Sequence, residues 1–267
     1  MKALLFTKRN IKEMLRDPLV YIFCVGFPIA MVLLFQIILH YTPDNSKTTI
    51  FEVKSLIPGI MVFSYSILML MSSLLISKDK STAFLKRLYT SPMKGKDYII
   101  GYFIPFFVIG ILQSIICIIL GYIFGATSNT GFIPFYKSLL LIIEMIPIMS
   151  MNIFIGMIFG AILNDKSAPG ISSVFISLSG IIGGSWMPLE TMGSFEVIAS
   201  CLPFYPSVYL GRVVTNATHV LTDELGNTTY YVFSDRGLLF LLVTFGYLIL
   251  FGLLTVIFFN KRLKNDC

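Results

Sequence analysis

Six long apolar stretches constrain the fold of this 267-residue chain more than any other feature of its sequence. A transmembrane helix needs about 20 mostly apolar residues to cross the hydrocarbon core of a bilayer. The stretches that approach or exceed this length cover residues 19–40, 56–76, 98–124, 137–163, 169–186 and 238–259. The fifth of them is the shortest and is rich in Gly and Ser. The pattern predicts an all-α polytopic membrane protein with six transmembrane helices.

The composition excludes the two other classes of chain that this length would allow. Hydrophobic residues make up 56% of the sequence and charged residues only 13%. Soluble domains average about 45–50% apolar and about 25% charged residues, so a water-soluble globule could not bury this much apolar surface. Disordered chains are poor in apolar residues, which excludes disorder by the same comparison.

The distribution of positive charge predicts the orientation of the spans. Fifteen of the 20 Lys and Arg residues lie before the first span, in the loop 77–97, after the fourth span or after the sixth. Lys and Arg are enriched in cytoplasmic segments. We therefore expect a plasma-membrane protein with both termini in the cytoplasm, as an even number of spans also requires. The net charge of +6 is explained by orientation and by contact with anionic membrane lipid, so no nucleic acid partner is expected.

The N-terminal segment, residues 1–18, has the pattern of an amphipathic helix. Lys8, Lys12 and Arg16 recur every four residues and therefore share one helical face. The apolar residues of the opposing face are Leu4, Ile11, Met14 and Leu15. Asp17 precedes a proline, which ends the helix. The pattern favours a helix that lies in the cytoplasmic membrane interface, and the alternative is a segment that only supplies positive charge for orientation. Residues 19–267 would then form the six-span domain.

Two loops of this domain contain further helical patterns. In the loop 77–97, residues 82–89 place Leu85 and Leu88 three positions apart, and Ser91-Pro92 ends the pattern. This short helix is compatible with docking on a cytoplasmic partner or with a solvated basic loop, and the pattern alone favours neither. The loop 187–236 is apolar in its first half, where two short, half-buried and re-entrant helices are expected. Its second half is polar and is expected to be exposed.

Few residues are candidates for catalysis, for nucleotide or metal binding or for a polar site within the membrane. The Gly95-Lys96 pair is followed by Asp97 and does not complete a P-loop, and the four cysteines have no metal-ligand spacing. No catalytic residue and no metal site is therefore expected. Glu144 is the acidic residue within a span, and an unpaired charge there costs about 2.5–3.5 kcal/mol. Gln36 and Gln113 in other spans are candidate hydrogen-bond partners for it. We favour a structural or substrate-cavity role for this polar site over proton coupling.

Two further motifs carry a resemblance to a known family. Residues 80–93 read Lys-Ser-Thr-Ala-Phe-Leu-Lys-Arg-Leu-Tyr-Thr-Ser-Pro-Met, and residues 183–192 read Gly-Gly-Ser-Trp-Met-Pro-Leu-Glu-Thr-Met before the Leu-Pro-Phe-Tyr-Pro run that starts at residue 202. These stretches, with the arrangement of the whole chain, resemble the permease subunit of ABC transporters of the ABC-2 type. The chain departs from that family's pattern at Lys80 and Ser81, where Glu and Gly are frequent, and at Gly193, where Pro is frequent.

The resemblance implies a fold and a function. It implies a permease that pairs with a second copy or a paralogue and that docks on separate ATPase subunits, which bind ATP and Mg²⁺; no cofactor is expected on this chain. It implies that a coupling helix contacts the ATPase through Phe84, Leu85, Lys86, Arg87, Leu88 and Tyr89. The substrate would be lipophilic or amphipathic, such as a drug, a peptide antibiotic, a lipid or a glycan, and would usually be exported. The alternative is a secondary carrier or channel without an ATPase. Frequent Ile, Lys, Asn and Phe are compatible with a bacterial source.

Overall fold

The computed structural model describes residues 2–42, 49–82, 95–127, 133–222 and 228–265. Nine longer helical segments, two 3₁₀ helices (Thr49–Phe51 and Leu189–Thr191) and one strand pair form this part of the chain. The helices are α1 (Lys2–Met14), α2 (Pro18–Tyr41), α3 (Val53–Ser81), α4 (Gly95–Thr127), α5 (Phe135–Ile162), α6 (Ala168–Ile182), α7 (Ser194–Ser200), α8 (Phe204–Thr215) and α9 (Phe233–Asn265). The strands β1 (Thr218–Thr222) and β2 (Thr228–Tyr230) pair antiparallel between α8 and α9.

Five of these helices, α2, α3, α4, α5 and α9, are long and apolar enough to cross a membrane. This confirms the prediction of an all-α polytopic membrane protein. Their burial decides their place in the bundle. The apolar window of α3 is 83% buried, whereas that of α9 is only 17% buried, so α3 is the central helix and α9 lies at the periphery. We call the two ends of the bundle the Ser81 end and the Val53 end, after the last and first residues of α3.

A pair of glycines explains how closely α5 packs against the central helix. Gly156 and Gly160 are four positions apart in α5 and face α3. A Cβ added to Gly160 would lie 2.7 Å from the carbonyl oxygen of Ser73, and one added to Gly156 would meet the backbone of Met69 still more closely. Small residues at this spacing let two helix backbones approach within a membrane, where van der Waals packing drives association. Only glycine fits both positions without displacing α3.

The fifth predicted span, residues 169–186, is shorter than expected. Helix α6 has 15 residues, which corresponds to a length of about 22 Å, whereas the hydrocarbon core is about 30 Å thick. The chain turns directly after it at Gly184, whose φ of +60° favours glycine. Ser185 then packs against Gly59, so α6 stops short of the Val53 end of α3. A run of apolar residues does not by itself show where the helix stops.

The segment that follows α6 fills the remaining space at the Val53 end. Helices α7 and α8 are the two short helices expected in the loop 187–236, and they are bent 90° from one another. Nearly every side chain of α8 is buried, and a Cβ on Gly211 would lie 2.7 Å from the Cβ of Pro58 in α3. The first half of the predicted outer loop is therefore part of the packed bundle.

Candidate functional site

The Ser81 end contains a buried charged cluster that joins three helices. The guanidinium of Arg9 in α1 donates two hydrogen bonds of 2.8 Å to the two carboxylate oxygens of Asp79 in α3. The hydroxyl of Tyr102 in α4 donates a third bond, also 2.8 Å, to Oδ2 of Asp79. The Asp79 side chain is 3% exposed and that of Arg9 is 35% exposed. The hydrogen bonds to Asp79 raise the pKa of the Arg9 guanidinium above its ordinary value, so Arg9 stays charged.

Helix α1 is oriented by residues that the amphipathic pattern did not single out. Phe6 and Asn10 are buried four positions apart, and Met14 continues this face. The Phe6 ring packs edge-on against Tyr102 at a centroid distance of 4.9 Å, and the Asn10 amide donates a 2.9 Å bond to the carbonyl oxygen of Gly101. Of the four predicted apolar residues Met14 is buried, whereas Leu4 and Leu15 are 73% and 62% exposed. The apolar stripe therefore divides between a protein-facing and an outward-facing side.

Lys80 extends the connection to a fourth helix. Its ammonium group lies 3.2 to 3.4 Å from the carbonyl oxygens of Ala161, Ile162 and Leu163 at the end of α5. These carbonyl groups have no intrahelical partner, and a cation at a helix C-terminus also interacts favourably with the helix dipole. The basic residue at this position thus has a structural role. These contacts link α1, α3, α4 and α5 at the Ser81 end of the bundle.

The predicted coupling residues themselves lie in that segment, outside the described residues: Phe84, Leu85, Lys86, Arg87, Leu88 and Tyr89. The structure describes the chain on both sides of them. Helix α3 ends at Ser81 and α4 begins at Gly95, and the charged cluster lies within one or two helical turns of both positions. Their contact with an ATPase stays a prediction.

A second buried charged cluster lies at the Val53 end, and the sequence did not reveal it. Arg212 of α8 lies within the predicted loop 187–236, but its side chain is 0% exposed. It donates a 2.8 Å bond to the carbonyl oxygen of Gly184 and lies 3.6 Å from Oε1 of Glu190. Tyr231 donates a 2.7 Å bond to the same carboxylate oxygen, and burial raises the pKa of its hydroxyl, which keeps it a donor. The sequence contains one indication that Arg212 is buried, because most of its neighbours from Val208 to Val214 are apolar.

The predicted intramembrane polar site is not assembled as a network. Gln36 donates a 3.0 Å bond to the carbonyl oxygen of Phe51 and not to Glu144. Gln113 is 1% exposed, and both polar atoms of its amide lack a hydrogen-bond partner within the described part of the chain. Oε2 of Glu144 is likewise buried without a partner there. Among the described residues there is therefore no hydrogen bond between Glu144 and either glutamine.

An uncharged cleft opens on the side of the bundle between α2, α3 and α6. Its volume is about 480 Å³, and its lining includes Phe23, Phe63 and Ser173. No residue that lines it is charged. Such a cleft can hold an apolar molecule but offers no group for acid–base or nucleophilic chemistry. Across the described ranges, no cluster of three or more His, Cys, Asp or Glu side chains could hold a metal ion.

Comparison with known protein families agrees with this architecture. Residues 2–216 match the family model described as ABC-2 type transporter. No curated protein matches the chain. The matched residues include helix α1, the charged cluster at the Ser81 end, the central helix and the bent pair α7 and α8. Because the match covers well over half of the sequence, the chain belongs to the ABC-2 type transporter family, whose membrane domain is a transport component of ABC transporters.

Proposed function

We propose that this chain is the permease subunit of an ATP-driven exporter and that it moves a lipophilic or amphipathic substrate with energy supplied by separate ATPase subunits. Membership of the ABC-2 family supports the role of permease. The proposal adds the direction of transport, the docking site of the ATPase and the chemical class of the substrate.

The observation that carries the proposal is the bonded geometry of the Ser81 end. Asp79 links α1 to α3 and α4 through three charge-assisted hydrogen bonds, and Lys80 links α3 to the end of α5. Hydrogen bonds with an ionised partner are roughly twice as strong as neutral ones. A partner that binds the segment between α3 and α4 would consequently move the four linked helices together. This is the mechanical property that coupling to an ATPase requires.

The orientation follows from the charge distribution. Helix α1, Lys78, Lys80 and Lys96 all lie at the Ser81 end, which we assign to the cytoplasm. Labelling with an impermeant thiol reagent in a background without native cysteines tests this assignment. Cysteines that replace Lys86 and Arg262 should be protected in intact cells, and a cysteine that replaces Thr222 should be labelled. Labelling at position 86 from outside would contradict the assignment.

The uncharged cleft supports a lipophilic substrate and a second permease copy. It opens between α2, α3 and α6, where an apolar molecule could enter from the bilayer without crossing a charged surface. Helix α6 exposes Val174 and Leu178 beside the small residues Gly170, Ser173 and Ser177. Small residues allow close approach of another helix in a membrane. We expect a second copy or a paralogue to cover this face, with the cleft at the interface.

The docking proposal is tested by replacing the apolar residues of the coupling segment. Buried apolar anchors carry most of the energy of an interface, whereas rim charges mainly affect the association rate. The Phe84→Ala/Leu88→Ala double variant should therefore lose most of a co-purified, ATP-binding subunit and most ATP-dependent transport. Lys86→Ala, the matched control in the same segment, should retain both. Membrane insertion, measured by extraction and gel filtration, should be the same for all three proteins.

Two results would contradict this proposal. If the double variant binds the ATPase subunit and transports as the parent does, the segment 82–89 is not the docking site, and α1 becomes the better candidate. If no ATP-binding subunit co-purifies with the unmodified chain and transport instead follows an ion gradient, the chain works as a secondary carrier.

A further inference from the structure

A groove with an apolar part and a basic part lies at the elbow between α1 and α2. The apolar part is a slot of about 220 Å³ between α1, α2, α3 and α4, and Met14, Val20 and Leu74 are among the side chains that line it. A wider, open cleft of about 640 Å³ adjoins it and is lined by side chains of α1, by residues 16–18 after α1 and by Lys78. The slot and the cleft share Lys78 and two acidic residues, so they form one continuous groove.

Contacts within the protein engage most of the charged groups around the groove. Arg9 pairs with Asp79 and, at 2.7 Å, with Glu13, which also lies 3.5 Å from Lys78. Of the other acidic groups of the groove, Asp17 accepts the backbone N–H of Leu19 as a helix cap, and Asp165 accepts a 3.5 Å bond from Ser77. The cleft is also lined by Lys12 and Arg16, both of which are exposed.

Among the described residues, Lys12 and Arg16 are the two basic groups that line the groove without an ion-pair partner. Within the described ranges neither forms a salt bridge or a side-chain hydrogen bond. Lys12 lies in the last turn of α1 and Arg16 in the turn that follows the helix, and both line the open cleft beside the apolar slot. A guanidinium presents a fork of donors that matches a phosphate, and an ammonium adds a point charge. The rim of the groove is therefore complementary to one phosphate group.

We propose that this groove binds one anionic phospholipid, with its phosphate on Lys12 and Arg16 and one acyl chain in the slot. The slot is smaller than the range of about 300–1,000 Å³ that is typical of complete small-molecule sites, so it suits a chain segment and not a whole substrate. A soluble phosphate would leave the slot empty, and a zwitterionic lipid would bring its own cation to the basic rim. The lipid would hold the elbow at headgroup level.

Lipid retention by the purified full-length chain in detergent tests the proposal. Phosphatidylglycerol and phosphatidylcholine with identical acyl chains are titrated, and bound lipid is counted by native mass spectrometry. We expect tighter binding of phosphatidylglycerol. The Lys12→Gln/Arg16→Gln double variant should bind it about 30-fold more weakly, which corresponds to about 1 kcal/mol for each basic residue near a membrane surface. Glycerol phosphate alone should not compete.

A matched control separates this site from general charge attraction. The Lys8→Gln/Lys96→Gln double variant removes the same net charge from the same end of the bundle, and neither lysine lines the groove. Its affinity for phosphatidylglycerol should equal that of the parent. If both double variants lose affinity equally, the attraction is diffuse and the proposed site does not exist.

The slot is tested by filling it. Leu74→Trp should reduce phosphatidylglycerol binding, whereas Leu33→Trp, on an exposed face of α2, should not. Three results would overturn the proposal: equal affinity for the two lipids, unchanged binding by Leu74→Trp, or full competition by glycerol phosphate. The last would identify a site for soluble phosphate.

Discussion

Replacement of Arg212 by methionine should destabilise the Val53 end of the bundle more than a typical substitution would. The guanidinium is fully buried and holds the turn after α6 through its 2.8 Å bond to the carbonyl oxygen of Gly184. Without it, the Glu190 carboxylate is buried with only phenolic donors, Tyr231 at 2.7 Å and Tyr205 at 3.3 Å. Removing one partner of a buried ion pair costs about 3–5 kcal/mol, because the other charge remains uncompensated.

A second substitution makes the prediction specific to the charge. Glu190→Gln removes the carboxylate charge but keeps an oxygen that can accept the Tyr231 hydroxyl. The Arg212→Met/Glu190→Gln double variant therefore has no buried unpaired charge at this position. We expect it to be more stable than Arg212→Met alone by about 1–2 kcal/mol, although it carries one more substitution. If only packing were lost, the double variant would be less stable than Arg212→Met and not more stable.

Unfolding can be followed with the one tryptophan of the chain. Trp186 follows the turn after α6, and its ring packs edge-on against Phe63 at a centroid distance of 4.7 Å. Its fluorescence during titration with a denaturing detergent therefore reports on the end of the bundle that Arg212 stabilises. Equal stability of Arg212→Met and the parent would refute the reasoning, and so would further destabilisation when Glu190→Gln is added to Arg212→Met.

Three more outcomes are expected. Glu144→Gln should fold and retain ATP-dependent transport, because an amide preserves the shape of the side chain and loses only its ability to ionise. Loss of transport in a well-expressed variant would favour a proton-coupled carrier. Gly156→Val should lower the thermal midpoint, since overpacking costs about 1–3 kcal/mol, whereas Gly246→Val, with open space around it, should not. Asp79→Asn should lower the equilibrium constant for docking of α1 on the bundle about 30-fold, because about 2 kcal/mol of charge-assisted hydrogen bonding is lost. Hydrogen exchange in α1 should become faster. Unchanged exchange would show that Arg9 does not hold the helix.

The sequence was sufficient for those features that depend on local composition. Long apolar runs located α2, α3, α4, α5 and α9, because each run must satisfy its backbone hydrogen bonds within itself to enter a bilayer. The four-residue repeat of Lys8, Lys12 and Arg16 predicted a helix over residues 1–18. The structure has this helix at Lys2–Met14, and Arg16 lies in the turn that follows it. Mixed apolar and proline-containing sequence likewise indicated two short helices before Thr215, which are α7 and α8.

Tertiary packing decided the features that depend on partners far away in the chain. Arg212 reads as a loop charge until α8 is placed beside Gly184 and Glu190, and only then can a buried guanidinium be compensated. Asp79 has no visible partner in the sequence, because Arg9 lies 70 residues before it. The stop of α6 at Ile182 depends on Ser185 meeting Gly59 of α3. Hydropathy measures how a segment interacts with lipid, whereas a charge, a helix end or a close backbone contact is stabilised by the groups that the fold brings to it.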